Sequence, residues 1–234
     1  HQVTKLIFDQ NSDVPNSYDL VVSNMDVVNT FRKLLPKAKQ PERILRQPKS
    51  SSALIFYWGI RKSFAELGLH NIFFSNDYRA EFDHLFRQKT LYADPTVYVN
   101  ITSKHKPDDS PEGGENWFFL VNAPNNEGQK WKALIEQCRW DVLRKISHNL
   151  GVNIADFIEC EEILDPRSIE SKTSSSQGAL YGNSSNNRFA AFFRHANFSR
   201  EFKNLYFVGG SVHPGGGIPL AILSAKIATD LIDA

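Results

Sequence analysis

Asn204-Leu-Tyr-Phe-Val-Gly-Gly-Ser-Val-His-Pro-Gly-Gly-Gly-Ile-Pro-Leu-Ala-Ile-Leu-Ser-Ala-Lys-Ile-Ala-Thr-Asp-Leu-Ile232 is the stretch on which the reading of this chain turns. Leu205 to Val208 is a short apolar, aromatic run of the kind that forms a strand covered on both faces. Gly209 and Gly210 end it, Gly215, Gly216 and Gly217 strip the next turn of side chains, and an apolar helix follows. The first turn of a helix carries unpaired N–H groups at the positive end of its dipole. A bare backbone there admits a large flat or anionic ligand. Close packing of a strand on a helix also calls for glycine, and a lone glycine turn would carry no more than that. Five glycines and two prolines within the eleven residues Gly209 to Pro219 favour half of a cofactor site. No Gly-Lys-Ser/Thr ends the loop, which argues against a nucleoside-triphosphate P-loop.

These residues carry a resemblance. Asn204-Leu-Tyr206, Gly209 and His213-Pro-Gly-Gly-Gly-Ile-Pro219 resemble the C-terminal flavin-binding signature of the carotenoid (phytoene) desaturases, FAD-dependent flavoproteins related to the amine oxidases. Upstream, Asp19-Leu-Val-Val-Ser-Asn-Met-Asp26 is similar to a strand-to-helix element of that family. Ser51-Ser-Ala-Leu-Ile-Phe-Tyr-Trp-Gly59 is similar to the strand that opens its substrate domain, and Leu180-Tyr-Gly182 and Phe192-Phe-Arg194 also fit. The resemblance covers essentially the whole chain. It implies an α/β fold: the C-terminal part of a Rossmann-like FAD-binding domain, joined to a substrate domain of α+β type with a mixed sheet. The corresponding spans are residues 1–40, returning to the FAD-binding domain; 41–170, the substrate-binding domain; and 171–234, the flavin-contacting loop and helix.

One departure from the family is large. Its members begin with a strand, a Gly-x-Gly-x-x-Gly turn and a helix that hold the ADP half of FAD. No such turn occurs here, and residue 1 is His. The expectation is a C-terminal fragment that alone binds FAD poorly or not at all.

Composition agrees with a globular protein: 41% of the 234 residues are hydrophobic and the net charge is +1, which offers no electrostatic case for nucleic acid. Cys138 and Cys160 are expected to be buried thiols, not a disulfide, and neither they nor the seven histidines have metal-ligand spacing. Asn100-Ile-Thr, Asn183-Ser-Ser and Asn197-Phe-Ser match the glycosylation pattern, but no signal peptide is visible and they are read as chance matches. No apolar run approaches membrane-spanning length. The closing helix, interrupted by Lys226 and Asp230, is expected to bury itself against a sheet. Because carotenoids reside in membranes, the resemblance implies a cytoplasmic protein peripherally associated with a bilayer.

Punctuation along the chain predicts its elements. Val3 to Phe8 and Leu20 to Ser23 read as strands, followed by a short helix stopped by Pro36 and a connecting loop over Lys37 to Lys49. Leu54 to Tyr57, Leu69 to Phe74, Thr96 to Ile101, Trp117 to Val121 and Ile158 to Leu164 read as strands. A helix is expected from Asp77 to Phe86. Trp131, Ile135, Cys138, Val142 and Ile146, at intervals of three and four, mark one face of a longer one. Glu159, Glu161 and Glu162 read as a solvated edge.

Removing two hydrogens from adjacent carbons of a hydrocarbon is work for a flavin, not for a side chain. The protein must position the chain and exclude water, which needs an apolar, aromatic lining. Phe189, Phe192 and Phe193, together with Phe56, Tyr57, Trp58, Phe73 and Phe74, could provide it, with plain core the first reading for most of them; Phe189, Phe192, Phe193 and Tyr57 are the candidates kept for a substrate channel. The resemblance assigns cofactor contacts to Gly209, Gly210, Ser211, His213, Pro214, Gly215, Gly216, Gly217, Ile218 and Pro219. Two readings of His213 stand side by side: a catalytic group that places a proton or polarises the flavin, or a side chain that only bonds the loop backbone. Arg188 and Arg194 are either structural or partners of a flavin oxygen, with the structural role preferred. Within the family, the wording is most similar to desaturases that put a 3,4 double bond into 1-hydroxylated acyclic carotenoids. Phytoene desaturation is the neighbouring reading. The alternatives are an isomerase or oxygenase of the same family, or a non-catalytic fragment.

Overall fold

The computed structural model describes residue 3, residues 18–184 and residues 193–233. In chain order the elements are β1 (Val21–Ser23), α1 (Val27–Asn29), a π-helical turn (Thr30–Leu34), α2 (Glu42–Leu45), β2 (Ser52–Ile60), β3 (His70–Phe73) and α3 (Tyr78–Asp83). They continue with β4 (Val97–Asn100), β5 (Glu115–Ala123), α4 (Trp131–Leu150), β6 (Ile158–Leu164), α5 (Pro166–Thr173), β7 (Leu205–Phe207) and α6 (Ile218–Ile232). The architecture is α/β, and the chain divides into two compact units. One is made of residues 1–50 and 173–234, the other of Ser51–Lys172.

The central unit is a five-stranded sheet in the order β3-β4-β5-β2-β6. All four of its pairings are antiparallel, so this sheet is antiparallel and not mixed as anticipated above; the parallel pairing lies in the other unit. Period-two alternation decides its two faces. On β5, Trp117, Phe119, Val121 and Ala123 turn inward and are buried, whereas Asn116, Phe118, Leu120 and Asn122 turn outward. The inner face also takes Leu54, Phe56, Trp58 and Ile60 of β2 and Val97 and Val99 of β4, with Trp131, Cys138, Val142 and Ile146 of α4 in the same core. Phe56 and Trp58 are therefore core. Each such side chain contributes about 1.5–3 kcal/mol by leaving water. α4 starts at Trp131 as its spacing predicts, and ends at Gly151, whose φ of +67° supplies the left-handed cap.

The outer face carries Ile55, Tyr57, Tyr98, Phe118, Leu120 and Ile72 by the same registers. Ile169 of α5 packs with Ala53 and Ile55 and covers one end of it. The far end stays open: Tyr57 is 40% exposed, Ile72 53% and, just past β3, Phe74 67%.

Two sequence expectations are corrected. Cys138 is buried, but Cys160 is exposed. It lies on β6, one of the two edge strands, opposite Gly59, where an added Cβ would stand 2.6 Å from its Sγ. Second, α6 is apolar yet largely uncovered. Only Ser224 and Ala228 are buried, while Ile218 is 79% and Ile222 66% exposed. The sheet of this unit has two strands, β1 and β7, paired in parallel from Val21 with Leu205 to Ser23 with Phe207. So narrow a sheet covers one stripe of a helix and no more.

Val27, Phe31, Leu45, Leu205, Phe207 and Val212 form the small core of this outer unit. Asp26 caps α1 by accepting from the N–H groups of Val28 and Asn29. The segment Lys37 to Lys49, expected to be loop, contains the one-turn helix α2, fixed by Glu42 chelating Arg32 and Arg46. Of the expected strand Val3 to Phe8, all but Val3 lies outside the described residues. Val3 itself exchanges two hydrogen bonds with the Asn204 side chain.

Candidate functional site

The glycine loop is built on β7. Asn197, 3% exposed, donates from one amide nitrogen towards the carbonyls of Phe207 and His213 and the Ser224 hydroxyl. The same hydroxyl accepts from Gly209 N–H, so one Asn–Ser pair ties strand, loop and helix together. Asn197 and Asn183, 2% exposed, are buried structural groups, which accounts for their glycosylation-like sequences as coincidence.

Four of the five loop glycines are required by close approach inside the protein. A Cβ on Gly209, whose φ is +105°, would stand 2.7 Å from Asn24 Oδ1. One on Gly216 would meet Tyr181 Cβ at 2.6 Å and Cα at 2.9 Å, and one on Gly210 would lie 3.3 Å from Gly216 Cα. Gly215, with φ +144°, has Arg194 Nε 3.2 Å from the Cβ position. Gly217 differs. Its φ is +96° and nothing lies within 4 Å of where its side chain would be. It is also the residue at which α6 begins, with no side chain capping the first-turn N–H groups. An uncapped helix start with free space at its lead residue accommodates an anionic or electron-rich group.

Ser211 accepts from Val27 N–H at 3.0 Å, which joins the loop to α1. His213 is half-buried; its N–H donates to His195 O and its carbonyl accepts from Asn197. Pro214, Ile218 and Pro219 complete the turn, with Ile218 and Pro219 exposed.

The sequence singled out Arg194 only as one of a pair and missed His195, Lys49 and Asn183. Lys49, 6% exposed, donates to Leu45 O at 3.0 Å and Asn183 Oδ1 at 2.6 Å. Burial pushes its ammonium down, and burial likewise raises Asp26 above the ordinary carboxylate value despite the N–H groups of Asn29 and Val28. His195 sits between Phe31 and Phe207, at 5.3 and 4.6 Å between ring centroids. Burial holds it below its usual value, against its bond to Ala196 O. Buried polar residues flanking the glycine turn were the available signal. The contacts that join Lys49 to Asn183 and Asn183 to Ile44 and Gln47 span more than 130 residues, which no local pattern reveals.

Of the four channel candidates, Phe189 and Phe192 lie outside the described residues, as does Arg188. Phe193 belongs to the outer unit, 49% exposed with the Arg43 guanidinium carbon 5.9 Å from its ring centroid. Tyr57 belongs to the central unit, edge-on to Phe118 at 5.5 Å on the open sheet face. Among the described residues no group of three or more His, Cys, Asp or Glu is arranged to hold a metal ion. None of their helices is long and apolar enough to cross a membrane.

A 1-hydroxycarotenoid 3,4-desaturase of Flavobacterium sp. strain P99-3 is 56% identical over 214 residues, 92% of this chain and 44% of that protein. The chain belongs to the carotenoid desaturase family. A phytoene desaturase of Fusarium fujikuroi is 32% identical over 92% of the chain and 41% of its own length. A 4,4'-diaponeurosporene oxygenase of Staphylococcus haemolyticus strain JCSC1435 is 34% identical over 100% of the chain and 47% of its own length. The chain thus spans less than half the length of these family members. No protein-family model matches it. Among solved structures, an oxidoreductase from Methanosarcina mazei shares the fold. The TM-score is 0.53 with 13% identity, over 99% of this chain and 48% of that one.

Proposed function

We propose that this chain is part of an FAD-dependent oxidoreductase that desaturates an acyclic carotenoid, turning a CH2–CH2 unit into a double bond. The 1-hydroxycarotenoid 3,4-desaturase type is favoured over phytoene desaturase by the 56% relative. The observation that carries the reading is the uncapped start of α6 at Gly217, with open space where a side chain would be. FAD fits there: the first-turn N–H groups receive an anionic or carbonyl oxygen, and Gly217 leaves room for the group that bears it. When bound, FAD supplies the acceptor for a hydride equivalent removed from the substrate.

The chain's own residues have two tasks. Gly209, Gly210, Ser211, His213, Pro214, Gly215, Gly216, Gly217, Ile218 and Pro219 hold the cofactor on the outer unit. The segments near residues 1–40 and 171–234 are its cofactor-binding part and 41–170 the substrate part. The open sheet face of the central unit, with Tyr57, Phe118, Tyr98, Leu120 and Ile72, offers an apolar platform for a polyene; on the outer unit, Phe193 is an exposed aromatic ring. His213 anchors the loop through its backbone N–H and carbonyl, and its imidazole stands as the candidate group that places a proton or polarises the flavin. Contact with a bilayer, from which such a substrate is drawn, follows from the same reading.

The test supplies FAD with phytoene or a 1-hydroxycarotenoid in lipid to the full-length polypeptide. Red-shifted absorption from a longer conjugated chain is expected, larger with the hydroxylated substrate. Bound flavin with no spectral change on either substrate overturns desaturation. It would favour oxygenase chemistry of the kind the 34% relative is named for.

A further inference from the structure

Arg194 is 6% exposed, and its guanidinium is spread across main-chain carbonyls. Nη1 donates to Tyr181 O at 2.9 Å and to Gly210 O at 3.0 Å, while Nη2 donates to Asn183 O at 2.7 Å. The group lies between two segments that touch directly: a Cβ on Gly182 would be 2.7 Å from Ser211 Cα, and Gly216 abuts Tyr181. Gly215 makes the space, since a side chain there would start 3.2 Å from Nε. Asn183 is fixed in turn by Lys49 and by its own donation to Gln47 Oε1 at 3.0 Å.

The Gly210 bond has a directional consequence. A trans peptide is planar, with its C=O and N–H antiparallel. Drawing Gly210 O towards the guanidinium therefore turns Ser211 N–H to the opposite side of the loop. A lysine could supply the charge, but a point donor lacks the planar fork that reaches three carbonyls on two segments.

We propose that Arg194 is a positioning residue for the flavin: by holding Gly210 O it presents Ser211 N–H to an acceptor on the bound cofactor. This rests on the FAD reading above. It goes beyond it in assigning the orientation of the loop to one buried cation held by main-chain carbonyls.

The test uses the full-length polypeptide with FAD added. In the unaltered protein, hydrogen exchange at the Ser211 amide slows on FAD binding. Arg194→Lys and Arg194→Ala raise the FAD dissociation constant about tenfold or more, as expected for losing a charge-assisted bond. At saturating FAD they also alter the visible circular dichroism of the bound flavin, and added guanidinium ion restores affinity to Arg194→Ala. Arg32→Lys, at an exposed Arg of the same unit, leaves affinity and spectrum unchanged. A protein that binds no FAD defeats the functional reading itself. A protein that binds FAD without protecting Ser211, or whose folded Arg194→Lys variant keeps affinity and spectrum, overturns the role of Arg194. Should the Arg194 variants fail to fold, the Ser211 measurement on the unaltered protein decides.

Discussion

Replacing Gly216 by alanine tests whether its glycine is there for packing. The new Cβ would lie 2.5 Å from Tyr181 Cδ1, 2.6 Å from Cβ and 2.9 Å from Cα. The ring can swing away, but Cβ and Cα move only with the backbone of residues 181–182, which Ser50 and Arg194 hold by hydrogen bonds. No left-handed φ is involved at this position, so overlap alone sets the cost. Overpacking against an immovable neighbour costs about 2–3 kcal/mol. That corresponds to a roughly 30- to 150-fold loss of hydrogen-exchange protection at the amides of β7 and α6. Amide exchange is the assay of choice because it reads β7 and α6 directly, whereas all four tryptophans, Trp58, Trp117, Trp131 and Trp140, lie in the central unit. Tyr181→Ala should not rescue the variant, since Cβ and Cα remain; Tyr181→Gly should rescue it in part. Gly216→Ala within about 0.5 kcal/mol of the parent, or full rescue by Tyr181→Ala, refutes the reasoning.

Gly217→Ala faces open space, so only its φ of +96° opposes it; a loss of about 1–3 kcal/mol that Tyr181→Gly leaves unchanged is expected in the same assay. Glu115 is 2% exposed and accepts from Ser63, Phe64 N–H, Trp117 Nε1 and Lys104, so Glu115→Gln, which turns an NH2 towards donors, should cost about 2–4 kcal/mol by urea unfolding followed on tryptophan fluorescence. His195 has a folded pKa depressed below 6.5, so its contribution to stability is full above that value and is lost as pH falls through the folded pKa. The midpoint of thermal unfolding should drop on acidification over that window, and less so in His195→Gln. An aromatic disulfide reagent should modify one thiol, Cys160, in the native protein and reach Cys138 only on unfolding, because burial raises the Cys138 thiol far above its usual value.

The sheet was legible because its strands alternate with period two and its long helix repeats at three and four. Those signals need only neighbours in sequence. The glycine loop was legible as a motif, but its reasons were not. Gly209, Gly215 and Gly216 answer to Asn24, Arg194 and Tyr181, residues that only tertiary structure brings near, and Gly210 to the fold of the loop itself against Gly216. α6 misled because apolarity states that a face is greasy, not that anything covers it. Cys160 misled because an apolar run does not say which strand is at the edge. Asn183 and Asn197 bond to groups from several segments, and Lys49 reaches Asn183 across 134 residues, an arrangement that no local spacing reveals.

The outer unit is assembled from the two ends of the chain, with Val21 opposite Leu205 and the whole central unit between them. Joining those strands in an unfolded chain means closing a loop of roughly 180 residues. The central unit shortens that search, because β2 and β6 lie side by side, Ile55 facing Leu164, once its sheet has formed. Replacing the intervening stretch by a folded bridge reduces the loop to roughly 70 residues, and lowers the closure cost by about 1 kcal/mol. Synthesis imposes the same order, since β7 leaves the ribosome after every strand of the five-stranded sheet. Until it does, β1 lacks its β7 partner and Val21 lacks the cover of Leu205 and Phe207. A chain interrupted before Leu205 therefore emerges with a finished central unit and with β1 still open on the side that β7 pairs, a natural handle for proteolytic clearance.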